Sequence, residues 1–65
     1  MTLVSGKPRE DVIGLTVREL VVREGHAAGR VAVELNERIL DPSEFDTTIA
    51  QDDVVEIVEF MGGGR

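Results

Sequence analysis

The side chains of this sequence offer little catalytic chemistry, and its most unusual stretch is the glycine run in the segment EFMGGGR. There is no cysteine and only one histidine, His26, so the sequence provides neither a thiolate nor a histidine cluster for catalysis or metal binding. His26 follows Gly25 and is expected in an exposed loop. We therefore expect no metal, no cofactor and no catalytic side chain, and an enzyme in its own right is the weakest hypothesis.

The glycine run consists of Gly62, Gly63 and Gly64. Glycine loses more backbone freedom on ordering than any other residue, and it has no side chain to bury. We therefore expect residues 62–65 to form a flexible tail behind a single domain at residues 1–61. Because such a run cannot strengthen a helix, a strand or a core, it indicates recognition by something outside the fold.

The size of the chain, 65 residues and 7.1 kDa, allows one domain with one small core. No stretch approaches the ~20 apolar residues that span a bilayer, and the residues after Met1 lack the basic start of a signal peptide. We expect a cytoplasmic protein that is monomeric when free and has no membrane segment.

The net charge of -6 is unevenly distributed. Residues 34–65 contain nine acidic side chains against only Arg38 and Arg65, whereas residues 1–33 contain five basic and four acidic ones. Nucleic-acid binding is not expected, because there is no basic stripe and the only aromatic residues are two phenylalanines. The acidic half favours a basic protein partner, with a merely solvated surface as the alternative.

The first third of the sequence predicts a β-hairpin. Met1–Val4 has the character of a short strand, and Gly6 and Pro8 mark a turn before a second strand at Arg9–Ile13. Gly14 is expected to end that second strand.

The segment LTVRELVVREG predicts a helix over about Val17–Glu24. Thr16 is a natural N-cap residue, Glu19 completes a capping box, and Gly25 offers a left-handed stop. The apolar face of this helix is expected to pack on a sheet, and its members are Val17, Leu20 and Val21.

The second half predicts three further strands. Alternating apolar residues indicate a half-buried strand in VAVEL, residues 31–35, and a short strand is expected at Arg38–Leu40. Asp41, Pro42 and Glu44 predict one helical turn. The segment VVEIVEF, residues 54–60, carries apolar groups at successive positions, which is typical of a central strand covered on both faces.

The resulting fold class is α+β. A single helix across a mixed sheet of four to five strands is the economical way to bury this pattern, and it corresponds to a ubiquitin-like β-grasp.

Residues beside the glycine run are candidates for partner binding. Val58, Phe60 and Met61 form either an exposed apolar docking patch or part of the core, and the sequence leaves both alternatives open. Glu56 and Glu59 are candidates for steering basic partners, with simple solvation as the alternative.

The order of these segments resembles the thiamine-biosynthesis sulfur carriers of the ThiS type. The resemblance covers essentially the whole chain and is carried by SGKP, LTVREL, VAVELNERIL, PSEFDTT, DDVVEIV and the glycine run. It implies that a terminal glycine carboxylate is activated by an ATP-dependent E1-like adenylating enzyme. The resulting acyl-adenylate becomes a thiocarboxylate, from which thiazole synthase takes the sulfur. On this resemblance, Gly64 is the residue that is adenylated and thiocarboxylated.

Arg65 departs from the family pattern, in which the chain ends in Gly-Gly. The resemblance therefore implies a precursor from which Arg65 is removed, as in relatives that serve other sulfur-transfer pathways, such as molybdopterin, cysteine or methionine synthesis. A ubiquitin-like protein modifier and a plain β-grasp interaction module are the remaining alternatives.

Overall fold

The computed structural model describes residues 1–60. Met61, the three glycines and Arg65 lie outside the described residues, as does the predicted boundary between a domain at 1–61 and a tail at 62–65. The strands are β1 (Leu3–Val4), β2 (Lys7–Pro8), β3 (Val31–Leu35), β4 (Arg38–Ile39) and β5 (Val54–Glu59). The α-helix is α1 (Val17–Arg23), and short 3-10 turns lie at Glu10–Val12, Ala28–Arg30 and Pro42–Glu44.

The strands form one five-stranded mixed sheet in the order β2-β1-β5-β3-β4. β5 lies in the middle, where it pairs parallel with β1 and antiparallel with β3. Each of the two outer strands, β2 and β4, is joined to its neighbour as a hairpin. Within residues 1–60, α1 is the single α-helix, so the predicted β-grasp arrangement is confirmed.

The second strand lies earlier in the chain than predicted. Ser5 and Gly6 have φ values of 50° and 82°, which makes a two-residue turn of the kind that joins tightly paired strands. The chain therefore returns at Lys7–Pro8 rather than at Arg9–Ile13. The predicted strand is replaced by the 3-10 turn at Glu10–Val12, which buries Val12 completely.

Helix α1 confirms the predicted capping. The Thr16 N–H donates to Glu19 Oε1 at 2.8 Å, and the Glu19 N–H donates to Thr16 Oγ1 at 3.1 Å. Gly25 follows the helix at φ +89°, as expected for a left-handed stop. A helix of seven residues is too short to persist alone, so its stability depends on burying its apolar face.

The second hairpin and the helical turn that follows it also match expectation. Asn36 and Glu37 turn the chain at φ values of 52° and 71°. The Asp41 N–H donates to Glu44 Oε1 at 2.8 Å, and the Ser43 N–H donates to Asp41 Oδ1 at 2.9 Å. These bonds satisfy backbone donors at the start of the turn.

The core lies between α1 and one face of the sheet. Its buried members are Val4, Val12, Val17, Leu20, Val21, Val31, Val33, Leu40, Phe45, Ile49 and Val55. Ile57 is partly buried against this cluster, so the predicted packing of the helix on the sheet is confirmed. Phe45 and Ile49, both almost fully buried, reach the core from the long connection before β5.

The prediction for β5 is half right. The strand is central, but residues 1–60 cover only one of its faces.

No helix in this part of the chain combines the length and the apolar character needed to cross a membrane.

The capping box gives a first prediction. Thr16→Ala removes the hydroxyl that accepts from Glu19, so the free energy of unfolding should fall by about 1 kcal/mol. Urea unfolding followed by circular dichroism measures this change. Thr48→Ala is the control and should cost less, because it removes an exposed hydroxyl that makes no hydrogen bond within residues 1–60. Equal losses in the two variants would contradict a specific role for the cap.

A second prediction concerns how the stability of the fold depends on pH. The two hydrogen bonds from the Arg9 guanidinium, each 2.8 Å, lower the pKa of Asp11 from 3.8 to about 2. A lowered folded-state pKa stabilises the fold above the unfolded value of 3.8 and loses this effect as pH falls through about 2. Asp11→Asn should therefore lower Tm at pH 7 by a small amount, because the pair is solvent-exposed. The difference should shrink between pH 4 and pH 2. A Tm difference that does not change over this range would contradict the linkage.

Candidate functional site: the outer face of the sheet

The face of the sheet that points away from α1 carries the candidate site. Directly paired residues in neighbouring strands lie on the same face of a sheet. The observed pairs are Leu3 with Val54, Ala32 with Val58, Glu34 with Glu56, and Glu34 with Ile39. We call these seven residues, together with Phe60, the outer face.

The outer face is largely apolar and exposed. The exposed fraction is 59% for Val58, 52% for Phe60 and 68% for Ile39. The Phe60 N–H donates to the Arg30 carbonyl at 2.9 Å, so backbone pairing between the two strands continues to this residue. Val58 and Phe60 are therefore not core residues.

The two glutamates proposed for steering lie on opposite sides of β5. Glu56 belongs to the outer face. Glu59 lies on the same face of β5 as the buried Val55, because side chains alternate along a strand, and it is near His26. The distance from His26 Nδ1 to Glu59 Oε2 is 3.7 Å. His26 is half-buried rather than exposed as predicted, because its backbone N–H donates to the Val21 carbonyl at 3.0 Å and holds the loop against the helix end.

An open cavity of about 250 Å³ lies on the helix side of the sheet. Val4 and Ile57 contribute apolar walls, and Lys7, Arg9 and Glu24 contribute charged ones. Arg9 Nη1 lies 3.0 Å from Glu24 Oε2, and the hydrogen bonds that the Arg9 guanidinium donates to Asp11 and Glu24 raise the pKa of Arg9. Arg9 and Glu24 therefore form an ion pair in the wall of this cavity.

Metal binding finds no support in this part of the molecule. Among residues 1–60, no three His, Cys, Asp or Glu side chains are grouped so that they could hold a metal ion.

The arrangement of the outer face is suited to contact with another protein, since it combines exposed apolar side chains with carboxylates and lies beside the end of β5.

A match to a protein-family model shows which family this chain is related to. The model of the ThiS family matches residues 2–64, which include the glycine run. This chain belongs to the ThiS family. The predicted resemblance is therefore confirmed.

Solved structures of ThiS proteins agree with this assignment. The crystal structure of the thiamine biosynthesis protein ThiS from Geobacter metallireducens is 37% identical, with a TM-score of 0.72 and coverage of 97% of each chain. The solution structure of a thiamine biosynthesis protein from the same organism is 41% identical, with a TM-score of 0.77, and the match covers 98% of this chain and 87% of that one.

A curated relative is much longer. A protein named thiazole synthase from Magnetococcus marinus is 33% identical over 63 residues, which are 95% of this ThiS-family chain. The match spans only 19% of the relative's length.

Five members of the outer face were not found from the sequence: Leu3, Ala32, Glu34, Ile39 and Val54. Glu34 and Ile39 stand in segments predicted as strands, but alternation within one strand does not say which residues of another strand share its face. The pairing of β3 with β5 and β4 supplies that information. Gly62, Gly63, Gly64 and Met61, the other predicted site residues, lie outside the described residues.

Proposed function

We propose that this chain is a sulfur carrier protein of thiamine biosynthesis that carries sulfur as a thiocarboxylate on Gly64. The family match carries this proposal, because it extends through the glycine run to residue 64. The neighbouring structures of thiamine biosynthesis proteins support the pathway. In this role the chain is a protein cosubstrate and not an enzyme.

The chemistry requires activation of a carboxylate. The Gly64 carboxylate oxygen attacks the α-phosphorus of ATP, and pyrophosphate leaves as the acyl-adenylate forms. A sulfide equivalent then attacks the activated carbonyl carbon, and AMP leaves with the former carboxylate oxygen. The product is a thiocarboxylate in which one oxygen has been replaced by sulfur. An E1-like adenylating enzyme supplies the site for these steps.

Glycine suits a segment that enters the active sites of other proteins. Without a Cβ, Gly62 to Gly64 present a narrow backbone that has few steric restrictions, and three extended residues reach about 10 Å. While Arg65 is attached, Gly64 has a peptide bond in place of the carboxylate that must react. We therefore include removal of Arg65 in the proposal, as a step before activation.

Thiazole synthase is the proposed acceptor of the sulfur. The support is the relative of that name, part of which is 33% identical to this chain. A related segment within a thiazole synthase indicates that the carrier and the acceptor act together.

The outer face is the proposed docking surface for both partners. Val58 and Phe60 offer apolar contact area, and Glu56 lies between apolar neighbours on the same face. Glu59 adds to the negative charge that attracts basic partners before contact. Met61 continues the chain toward the glycine run.

The chemical proposal is tested on a chain that ends at Gly64. With ATP, sulfide and the E1-like enzyme of the same organism, intact mass spectrometry should show a gain equal to the mass of sulfur minus that of oxygen. The chain that ends at Arg65 should not be converted until the arginine is removed. Gly64→Val should fold normally and resist activation, because a β-branched side chain crowds the carbonyl.

Two results would contradict the proposal. One is equal conversion of the chains ending at Gly64 and Arg65. The other is no conversion of either chain by any adenylating enzyme of the organism, which would favour a plain interaction module.

A further prediction concerns the docking surface. Val58→Ser should raise the Kd for the adenylating enzyme about tenfold, because the buried apolar area of one valine is lost. Val22→Ser is a matched control, since Val22 is 63% exposed on the helix, on the other side of the sheet. Isothermal titration calorimetry measures both. Equal losses in the two variants would contradict docking through the outer face.

A further inference from the structure

Two carboxylates face each other in the middle of the outer face. Glu34 on β3 is directly paired with Glu56 on β5, and directly opposed residues place their Cβ atoms about 4.5–5.5 Å apart. Neither carboxylate takes part in an ion pair or a side-chain hydrogen bond within residues 1–60. Like charges in this position destabilise a sheet. The described part of the fold therefore carries an unfavourable interaction that no cation within residues 1–60 relieves.

Apolar side chains surround the carboxylate pair. Val54 and Val58 precede and follow Glu56 on the same face of β5, and Ile39 pairs with Glu34 from β4. Val58 and Ile39 are more than half exposed, so a flat protein surface can cover the whole group. Covering it removes water from two adjacent negative charges, which is strongly unfavourable unless the covering surface supplies a positive charge.

We propose that the outer face docks a partner protein through an arginine whose guanidinium lies between Glu34 and Glu56. Arginine fits this position better than lysine. Its planar group presents five donors that can reach two carboxylates, it is more weakly hydrated, and its aliphatic stem can pack on Val58 and Ile39. This inference rests on the proposed function only for the choice of protein with which it is tested.

The proposal predicts that neutralising either carboxylate stabilises the free chain but weakens its binding to the partner protein. In the free chain, neutralising one carboxylate removes the repulsion. In the complex, the same change removes half of the site for the guanidinium. If the two carboxylates were merely solvated, neutralising one of them would leave the affinity for the partner unchanged.

The experiment uses Glu34→Gln and Glu56→Gln in the chain ending at Gly64. Each should raise the Tm of the free chain by about 1–6 °C. Each should also raise the Kd for the E1-like enzyme, measured by calorimetry without ATP, by about tenfold or more. Glu37→Gln is the matched control, because it makes the same charge change in the β3–β4 turn, away from the outer face. It should alter Tm and Kd by much less.

A charge reversal provides a variant that should fold well. Glu34→Lys places a cation directly opposite Glu56, so it should stabilise the free chain and abolish binding. Arginine is identified on the partner by reaction with phenylglyoxal, which modifies guanidinium groups. The bound wild-type chain should protect one arginine of the partner, whereas Glu34→Lys should protect none.

The outcomes separate this inference from the proposed function. If the wild-type chain becomes a thiocarboxylate but the Gln variants bind as tightly as wild type, the inference is wrong and the function stands. If the variants lose binding as expected but Gly64 is never activated, the function is wrong and the docking site stands. Failure of the wild-type chain to bind the enzyme, or protection of no arginine, would overturn the inference.

Discussion

The pairing of β3 with β5 is the interaction on which the rest of the structure depends. Five residue pairs, from Val31 with Glu59 to Leu35 with Val55, fix the register of these strands. Because side chains alternate between faces, a slip of one residue in β5 would expose Val55 and turn Glu56 into the core. Helix α1, with seven residues, cannot persist without the apolar surface that this register presents.

This register also creates the outer face. β5 has apolar residues on both of its sides, and the single helix of the described part can cover only one of them. Burial of Val55 against the helix therefore leaves Val58 and Phe60 in solvent. The fold gains its stability from one face of the strand and leaves the other face exposed.

The sequence predicts those features that depend on neighbouring residues. The capping box of Thr16, the left-handed Gly25 and the alternation of VAVEL are local signals, and all three are present in the structure. The second strand was misplaced because Ser5, a residue without a strong preference for positive φ, takes part in the tight turn.

Other features depend on pairing between distant segments. Phe45 and Ile49 are buried because the connection before β5 packs against the start of the helix, and Glu34 meets Glu56 because of the register of the sheet. No local pattern specifies either feature. The sequence therefore found part of the outer face, Val58 and Phe60, but could not decide whether they were core residues. Alternation within β5 places Glu56 and Glu59 on different faces, but only the pairing of the sheet shows that Glu56 lies on the outer one.

The proposed carrier places a geometric limit on its partners. Only six residue steps separate Val58 from Gly64, so the reacting carboxylate can lie at most about 20 Å from the docked valine. A partner must therefore hold its docking surface and its active site within that distance. Tethering over so short a span raises the effective concentration of the carboxylate at the active site, so even modest affinity on the outer face can support efficient activation. Modest affinity also allows release, which a carrier needs because the adenylating enzyme and thiazole synthase must use the same short segment in turn.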